Sequence, residues 1–425
     1  MVKSQFDKKF GEECGIVGVY DPNGDVSRLA FYGIYALQHR GQESAGIASA
    51  DGYKIKLRTG MGLVTHVFKD EDLDYLTGDI AIGHTRYSTT GTSNIKNAQP
   101  MVVDGENFKL AIAHNGNVVN SLELKRELEE LGEEFNTSSD SEVIAKIIAS
   151  APANTWEGRI AYLMRKVQGA YSLTLMTEKE LIAVRDPLGV RPLCFGSVNG
   201  GWIIASESCA LDNVGAKFVR EVNPGEAIMF DSKGFKSIYQ KDNEKCSFCV
   251  FEHIYFARPD SELDGKLVYK SRLLMGKELA REHPVEADMV IGVPDSATAS
   301  AVGYSEESGI PFGEGLVKNR YVGRTFINPD QRMREVGVKV KLNPLKELIE
   351  GKRLVVVDDS IVRGTTSKPV VSLLRNAGAK EIHLRICAPP IKFPCHFGVD
   401  FPTRKELIAA NNSVNEIKDH IEADS

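Results

Sequence analysis

Short apolar runs that end in polar residues recur along the chain, and each of them predicts a buried strand. In the carboxyl-terminal half, Leu354–Val357 and Asp288–Val293 have the nearly unbroken apolar character of strands covered on both faces, as in a parallel sheet. A helix is predicted to begin near Ser367, with Pro369 in its first turn and Gly378 just past its end. This half of the chain therefore has the pattern of an α/β domain.

The amino-terminal half has a different pattern, in which short strands alternate with glycine-rich turns. Ser27–Leu37 and Trp156–Lys166 have the apolar spacing of amphipathic helices. Predicted strands include residues 15–20, 80–82, 110–112, 169–173, 181–184 and 202–205. The polar stretch Asp231–Lys245 marks a junction. We therefore predict α+β character before the junction and α/β character after it.

Composition limits the class of protein. A chain of 425 residues with 42% hydrophobic and 26% charged residues has the make-up of a soluble protein with two or three domains. A net charge of −6 argues against nucleic acid as the main partner, and no apolar run approaches the ~20 residues of a membrane span. The start, Met1–Glu13, has no apolar core and does not look like a secretory signal. Seven unevenly spaced cysteines favour a reducing compartment, so we expect a cytoplasmic protein.

Two carboxylates, Asp358 and Asp359, follow the strand Leu354–Val357 directly. Ligands of open α/β sheets bind at the carboxyl ends of strands, and the loop that follows resembles a phosphate cradle. Gly364 allows a tight turn, Thr365 and Thr366 add hydroxyl donors, and a helix N-terminus comes next. The acids suit sugar hydroxyls or hydrated magnesium. The alternative is a strand whose acids merely cap the following helix.

Four polar patches in the amino-terminal half lie close to predicted strands or helices. They are Cys14 with its neighbours, residues 38–44, residues 83–89 and residues 113–117. A lone cysteine is usually a small buried hydrophobic residue, and Asn-Gly is a strong turn signal by itself. Together, however, the patches predict a rim of catalytic groups on one sheet.

These patches resemble the glutaminase domain of class II (N-terminal nucleophile) amidotransferases. The resemblance implies an αββα fold, with Met1–Glu13 removed as a propeptide and Cys14 acting through its own α-amine. An α-amine with a pKa near ~7.7–8.0 can accept the thiol proton. By the same resemblance Arg86 and Asp140 bind glutamine directly, and Arg40 supports this glutamine-binding pocket and the loop that closes over it. Asn115 and Gly116 form the oxyanion hole. The alternative for Asp140 is a helix N-cap before Ser141–Ser150, and both roles can hold at once.

The stretch around the acid pair resembles the phosphoribosyl-pyrophosphate (PRPP) signature of type I phosphoribosyltransferases. The resemblance implies that Asp358 and Asp359 bind the ribose hydroxyls and Mg²⁺. Ser296, in a second loop, is expected near the metal, and residues 318–327 are expected to form a closing flap. The implied PRPP-binding residues are Lys318, Tyr321, Asp358, Asp359, Ser360, Arg363, Gly364, Thr365 and Thr366.

Glutaminase and phosphoribosyltransferase in this order resemble the glutamine PRPP amidotransferase family, in its subfamily with a propeptide and a 4Fe-4S cluster. The implied reaction hydrolyses glutamine at Cys14 and uses the ammonia to convert PRPP to phosphoribosylamine and pyrophosphate, at the start of purine synthesis. The implied domains are a propeptide (1–13), glutaminase (14–235), junction (236–268), phosphoribosyltransferase (269–400) and a carboxyl-terminal segment (401–425). A purine nucleotide inhibitor and a homodimer or homotetramer are also implied.

The iron–sulfur expectation is incomplete. Cys249 and Cys395 match two cluster ligands by context, whereas the subfamily uses four. Either the sequence is truncated, which we favour, or the cluster is lost, or Cys246 and Cys387 substitute.

Two other functions compete with this one. The first is an amidotransferase that acts on another sugar phosphate, and the second is a nucleotide sensor without catalytic activity. The pyrophosphate-like loop at residues 294–297 and the acid pair weigh against the first, and the flap and the acid pair weigh against the second.

Overall fold

A computed structural model describes residues 14–87, 94–241, 245–319, 342–399 and 403–425. The chain forms two compact units, each with its own core. Of the described residues, the first unit contains 14–249, 261–265 and 395–399, and the second contains the rest. The units therefore interleave along the chain, whereas the predicted domains were drawn with single boundaries.

The first unit contains fourteen of the described strands. They are β1 (Gly15–Tyr20), β2 (Ser44–Ala50), β3 (Ile55–Met61), β4 (Ile80–Arg86), β5 (Met101–Asp104), β6 (Lys109–Val118), β7 (Gly169–Met176), β8 (Leu181–Arg185), β9 (Cys194–Val198), β10 (Gly201–Ala205), β11 (Lys217–Glu221), β12 (Glu226–Asp231), β13 (Gly234–Gln240) and β14 (Glu262–Leu263). One sheet has the order β11-β9-β10-β1-β4-β2-β3 and the other the order β13-β12-β8-β7-β6-β5.

The helices of the first unit cover the outer faces of these sheets. Val26–Ala36, Val64–Val67, Asp70–Tyr75 and Ser208–Asn213 pack on the first sheet, and Ser121–Glu130, Asp140–Ala149 and Trp156–Lys166 pack on the second. The helix predicted at Trp156–Lys166 has those bounds, and the one predicted at Ser27–Leu37 lies one residue earlier at each end.

Side-chain alternation along β1 shows how the layers arise. Ile16 points into a core between the two sheets, where it joins Ala111 and Ala113 of the facing β6. Val17 and Val19 point the other way, into the core beneath helix Val26–Ala36. Successive strand residues face opposite sides, so one strand serves both cores. The predicted αββα arrangement is confirmed.

The second unit is built on a parallel sheet. Its strands are β15 (Lys266–Leu267), β16 (Met289–Gly292), β17 (Leu316–Lys318), β18 (Leu342–Pro344), β19 (Arg353–Asp358) and β20 (Glu381–Ile386). The sheet has the order β16-β19-β20, and both strand pairs are parallel. Val356 faces one hydrophobic core while Val355 and Val357 face another, so β19 is covered on both faces as predicted.

Helices surround this sheet and extend to the end of the chain. They are Val268–Glu282, Thr298–Ser308, Lys346–Ile349, Ser367–Asn376, Ile408–Asn411 and Val414–Ile421, with a π-helix at Glu252–Phe256 and a 3₁₀ turn at Arg404–Glu406. Ile421 and Ala423 lie in the core of the unit. In the described part of the chain, no helix has the length and apolar character needed to cross a membrane.

Candidate active sites

Cys14 lies immediately before β1 and is nearly buried, with 8% of its surface exposed. β1 pairs antiparallel with β4, and Gly15 lies opposite Thr85. The start of β1 and the end of β4 therefore lie side by side, at the same end of the strands of the first sheet. The Cys14 Sγ lies 3.5 Å from the carbonyl oxygen of Tyr87, just past the end of β4. The predicted nucleophile thus occupies a fixed position at this rim.

Arg40 holds the backbone of this cysteine. The Arg40 Nε donates to the Cys14 carbonyl at 3.0 Å, and Nη1 donates to Glu207 Oε1 at 2.6 Å. Both side chains of this ion pair are fully buried. Arg40 thus contacts the main chain of Cys14, the predicted nucleophile.

Asn115 and Gly116, the predicted oxyanion hole, lie inside β6, which continues to Val118. The alternative of a turn at Asn-Gly is therefore wrong. Asn115 is completely buried, and among the described residues neither its Nδ2 nor its Oδ1 has a hydrogen-bond partner. Gly116 has φ of 151°, and a Cβ there would lie 2.0 Å from the Ala170 carbonyl oxygen, so a side chain cannot be accommodated.

Two buried histidines lie near Asn115: His114 in the same strand, and His84 in β4 of the other sheet. The His84 Nε2 lies 3.2 Å from the His114 carbonyl oxygen and so connects β4 with β6 across the two sheets. Burial lowers the pKa of His84 to about 3 and also lowers the pKa of His114. Near pH 7 both imidazoles are neutral and serve as structural links. This is compatible with a nucleophile activated by its own amine.

The predicted glutamine-binding residues lie close to the same rim. Arg86 ends β4, and its Nη1 donates to Glu43 Oε1 at 2.9 Å. Asp140 is the first residue of its helix and accepts from the backbone N–H of Val118 at 2.9 Å. Ser139 is the N-cap, so the alternative that Asp140 caps this helix is wrong. Arg86 and Asp140 are both almost fully buried, which suits the recognition of a small zwitterion.

In the second unit, Asp358 ends β19 and Asp359 follows it, and both carboxyl groups are buried. The Ser296 Oγ donates to Asp359 Oδ2 at 2.5 Å, and the Ser360 hydroxyl donates to Oδ1 of the same carboxylate. Burial raises the pKa of both aspartates, and the charge of Asp359 raises that of Asp358 further. The second loop therefore meets the acid pair through Ser296, the residue that the sequence predicted to lie near the metal.

The phosphate loop follows the acid pair. Gly364 has φ of 73°, a left-handed conformation that suits glycine, and helix Ser367–Asn376 starts three residues later. Thr365 and Thr366 are exposed, and Thr366 forms no side-chain cap to the described helix. The loop thus presents hydroxyl groups beside a helix N-terminus.

Arg363 of the same loop is held from the carboxyl-terminal region. Its Nε and Nη2 both donate to Glu406 Oε2, at 2.9 and 2.6 Å. The Ile408 N–H also donates to the Val362 carbonyl at 2.9 Å. The predicted phosphate ligand Arg363 is therefore engaged by Glu406 here.

The flap residues are described only at their start. Lys318 ends β17, and its Nζ lies 2.5 Å from Asp295 Oδ2, in the loop that contains Ser296. Tyr321 lies outside the described residues.

The predicted ligands fit a Mg²⁺ ion but do not fit a 4Fe-4S cluster. Mg²⁺ commonly binds to one or two carboxylates together with substrate phosphates, and Asp358 and Asp359 with Ser296 supply such a set. For a 4Fe-4S cluster the set is insufficient, because four thiolates are needed. Cys249 and Cys395 both belong to the first unit, but the described residues contain no group of three His, Cys, Asp or Glu side chains placed to bind a metal.

The two substitutes considered for the missing ligands differ in environment. Cys246 is exposed in the first unit. Cys387 belongs to the second unit, where burial raises the pKa of its thiol to about 11. A thiol that keeps its proton is a poor metal ligand.

Sequence reasoning missed Glu207 and Glu406. Each is remote in sequence from the arginine that it binds, Arg40 and Arg363 respectively. Ser206-Glu207-Ser208, a charged residue between small polar ones directly after the apolar strand β10, was the available signal for the first. Glu406 had no comparable signal.

Together, the fold and the two sites define a glutamine amidotransferase joined to a phosphoribosyltransferase. Two family models agree: the glutamine amidotransferase domain matches residues 56–261, and the phosphoribosyl transferase domain matches residues 275–388. Amidophosphoribosyltransferase of Archaeoglobus fulgidus is 51% identical over 95% of this chain and 89% of its own length. The Synechococcus elongatus enzyme of that name is 49% identical over 97% and 85%.

Solved structures give the same answer. Glutamine PRPP amidotransferase from Bacillus subtilis, complexed with ADP and GMP, superimposes with a TM-score of 0.90 at 47% identity, covering 97% of this chain and 90% of that one. A structure described as the allosteric regulatory enzyme of purine biosynthesis gives a TM-score of 0.91 at 47% identity, covering 97% and 88%. This chain belongs to the amidophosphoribosyltransferase family. It is therefore an enzyme, and neither an amidotransferase for another sugar phosphate nor a nucleotide sensor.

Proposed function

We propose that the two units divide the amidophosphoribosyltransferase reaction between them, with glutamine hydrolysed at Cys14 and PRPP aminated beside Asp358 and Asp359. The products are glutamate, 5-phosphoribosylamine and pyrophosphate. This division is supported by the two separate cores, by the position of Cys14 directly before one buried strand and by the position of Asp358 at the end of another.

In the first unit, removal of Met1–Glu13 exposes the α-amine of Cys14. That amine accepts the thiol proton, and the sulfur attacks the side-chain amide carbon of glutamine. Asn115 and the Gly116 N–H stabilise the negative oxygen that forms, and ammonia leaves with a proton returned by the amine. Water then hydrolyses the thioester to glutamate. Arg86 binds the substrate carboxylate and Asp140 its ammonium group, and both are buried as this role requires.

In the second unit, Ser360–Thr366 bind the 5′-phosphate of PRPP and Asp358 and Asp359 accept hydrogen bonds from the ribose hydroxyls. Lys318 and Tyr321 contact the substrate from the flap. Ammonia attacks C1 as the bond to pyrophosphate breaks, and the carboxylates stabilise the positive charge that develops on the ribose. Ser296 and the acid pair would hold Mg²⁺, which neutralises the charge of the leaving pyrophosphate when bound.

The observation that carries this proposal is the buried, unpartnered Asn115 on the strand that faces the sheet of Cys14. An unsatisfied buried amide destabilises the fold by about 1–3 kcal/mol. The Asn115 amide would gain its hydrogen-bond partner during catalysis, when the negative oxygen of the reacting glutamine forms beside it.

The test compares two nitrogen sources in a Cys14→Ala variant of the processed protein. We expect it to lose glutamine-dependent amination of PRPP and to keep amination by added ammonium salt at high pH. Wild-type protein that starts at Cys14 is the control. Equal loss of both activities would contradict the division into two sites.

Further proposals concern the setting of the enzyme. A purine nucleotide is the expected inhibitor, since the Bacillus subtilis structure contains ADP and GMP. We also propose a cytoplasmic, homo-oligomeric enzyme, and the uneven spacing of its seven cysteines suits a reducing compartment. Inhibition by GMP or ADP in the amination assay and the mass measured by light scattering test these points.

A further inference from the structure

Glu207 is a fully buried carboxylate that the reaction scheme above does not use. Its Oε1 accepts from Arg40 Nη1 at 2.6 Å and lies 2.8 Å from His39 Nε2, and its Oε2 accepts from Ser261 Oγ at 2.6 Å. Burial disfavours the ionised form, but the charges and hydrogen bonds of His39, Arg40 and Ser261 outweigh it and hold the pKa of Glu207 well below its ordinary value. Glu207 is therefore a charged anchor for two other segments of the first unit, residues 39–40 and residue 261.

One of these segments leads to the nucleophile. Arg40 uses Nη1 for Glu207 and Nε for the Cys14 carbonyl, so its guanidinium bridges the carboxylate and the residue that directly precedes β1. The residue before Glu207 adds two contacts. The Ile16 N–H donates to Ser206 Oγ at 3.0 Å, and the Ser206 N–H donates to the Ile16 carbonyl at 3.1 Å. Residues 206 and 207 thus fix the start of β1 at two points.

The carbonyl is the polar group of Cys14 that the chemistry leaves unused, because the thiol attacks and the amine transfers the proton. Fixing that carbonyl holds the peptide plane from which the Cα of Cys14 extends and so restricts the positions that its thiol and amine can take. A displacement of about 1 Å in such a group can reduce a rate by on the order of 10²-fold.

We propose that Glu207 is a positioning residue for glutamine hydrolysis, which holds Arg40 against the Cys14 carbonyl and so aims the thiol and amine at the substrate amide. Ser261, which lies in the predicted junction but belongs to the first unit, supports the same carboxylate. This inference rests on the proposed role of Cys14 as the nucleophile.

The test uses the full-length processed enzyme with Glu207→Ala and Glu207→Gln. The alanine variant removes the anchor, and we expect kcat for glutamine hydrolysis to fall on the order of 10²-fold. The KM for glutamine is expected to stay unchanged, because Arg86 and Asp140 are untouched. The glutamine variant keeps an oxygen for Arg40, and the Ser261 hydroxyl can turn to accept from the new amide. We therefore expect it to recover most of the lost rate.

The matched control is Glu226→Ala. Glu226 is also buried in the first unit and accepts from both terminal nitrogens of Arg220, at 2.7 and 2.8 Å, but it lies on β12 in the other sheet. We expect its kcat to stay within about twofold of wild type, since distant sites act independently. Amination of PRPP by ammonium salt, measured on every variant, reports on the second unit.

Three results would overturn the proposal. They are a wild-type kcat in Glu207→Ala, equal loss of the ammonia-dependent activity in that variant, and a Glu207→Gln variant as slow as the alanine variant. Cys14→Ala, measured in parallel, separates this inference from the proposed function. If Cys14→Ala still hydrolyses glutamine, the nucleophile assignment fails, whereas an active Glu207→Ala beside an inactive Cys14→Ala removes the positioning role alone.

Discussion

At the scale of single residues, Asn115 is proposed to help catalysis although its buried amide, unpartnered in the described part of the chain, destabilises the fold. Its amide is buried without a partner among the described residues, so removing it relieves a penalty of about 1–3 kcal/mol. For Asn115→Ala we expect kcat for glutamine hydrolysis to fall by about 10²–10³-fold, the usual effect of losing one oxyanion donor. The free energy of unfolding is expected to stay equal or to rise, as measured by denaturant titration.

Asn120→Ala provides the contrast for this prediction. The Asn120 Nδ2 donates to the Lys166 carbonyl at 2.9 Å, and its Oδ1 accepts from the Gln168 N–H at 2.9 Å. Its loss should lower stability by about 1 kcal/mol and leave kcat near wild type. If Asn115→Ala proved the less stable and more active of the two, the oxyanion assignment would be wrong.

In the second unit, Asp358 is likewise proposed to serve the reaction while its burial lowers the stability of the fold. Burial and the charge of Asp359 raise its pKa in the folded protein, so the folded state binds a proton that the unfolded chain has released above about pH 4. Without ligand, the stability of the fold therefore falls as pH rises above that value. We expect Asp358→Asn to be more stable than wild type at pH 7 by roughly 0.5–2 kcal/mol, the usual size of a stabilising substitution.

The pH dependence checks this cause. Thermal unfolding of both proteins without PRPP or magnesium should show the difference at pH 7 and its disappearance below about pH 4, where both carboxyl groups are protonated in either state. The variant should lose amination of PRPP by ammonia. A pH-independent difference in stability would assign the effect to packing instead of charge.

At the scale of elements, a regular apolar pattern predicted the bounds of helices and strands well. The bounds were predicted poorly where the predicted catalytic residues lie. Helix Trp156–Lys166 and the strand from Arg353 to Asp358 follow their patterns closely. β6, in contrast, was predicted to stop at Ile112, but it continues to Val118 through His114 and Asn115. Polar residues that face the interior of an active site break the alternation from which a strand is recognised.

The 3₁₀ turn Arg404–Glu406 shows the limit of local pattern more clearly. This turn places Glu406 against Arg363, 43 residues away in the sequence. No periodicity of helices or strands relates two residues at that separation. The pair is partly exposed, so its direct contribution to stability is small. Its effect should appear in the geometry of the phosphate loop.

We therefore expect Glu406→Ala to raise the KM for PRPP about tenfold, the equivalent of about 1.4 kcal/mol of binding. The kcat for glutamine hydrolysis should not change. Steady-state kinetics with ammonia as the nitrogen source would measure the first effect without involving Cys14.

Glu416→Ala is the control from the same region. Glu416 forms the capping box of helix Val414–Ile421 with Ser413. Its loss should destabilise that helix by up to about 1 kcal/mol and leave the KM for PRPP unaltered. An equal rise of KM in both variants would show that Glu406 acts through general stability of the segment.

At the scale of the whole molecule, the chain crosses between its two units more often than the sequence indicated. Residues 261–265 and 395–399 belong to the first unit although residues of the second unit precede and follow them. The Arg191 Nη2 donates to the Phe397 carbonyl at 2.8 Å, and the Asn117 Nδ2 donates to the His396 carbonyl at 2.9 Å. Contacts between residues so far apart in the chain have no local signature, whereas the motifs at Cys14 and Asp358 do.

Deletion of the carboxyl-terminal residues should affect amination of PRPP and glutamine hydrolysis differently. The Asp424 N–H donates to the Ile382 carbonyl and the Leu384 N–H donates to the Ser425 carbonyl, each at 2.9 Å, so the chain end completes the edge of β20. Deletion of residues 403–425 removes these bonds, the buried Ile421 and the Glu406 partner of Arg363. We expect it to abolish amination of PRPP by ammonia.

The same deletion leaves the described residues of the first unit intact, including 395–399. Basal glutamine hydrolysis measured without PRPP should therefore stay within about tenfold of wild type, because changes at distant sites that share no contacts have additive effects. Cys14→Ala should show the reverse pattern, with hydrolysis lost and ammonia-dependent amination kept. If the deletion removed both activities together, the first unit would depend on the second for its fold, and the division of the chain into two independent cores would not hold.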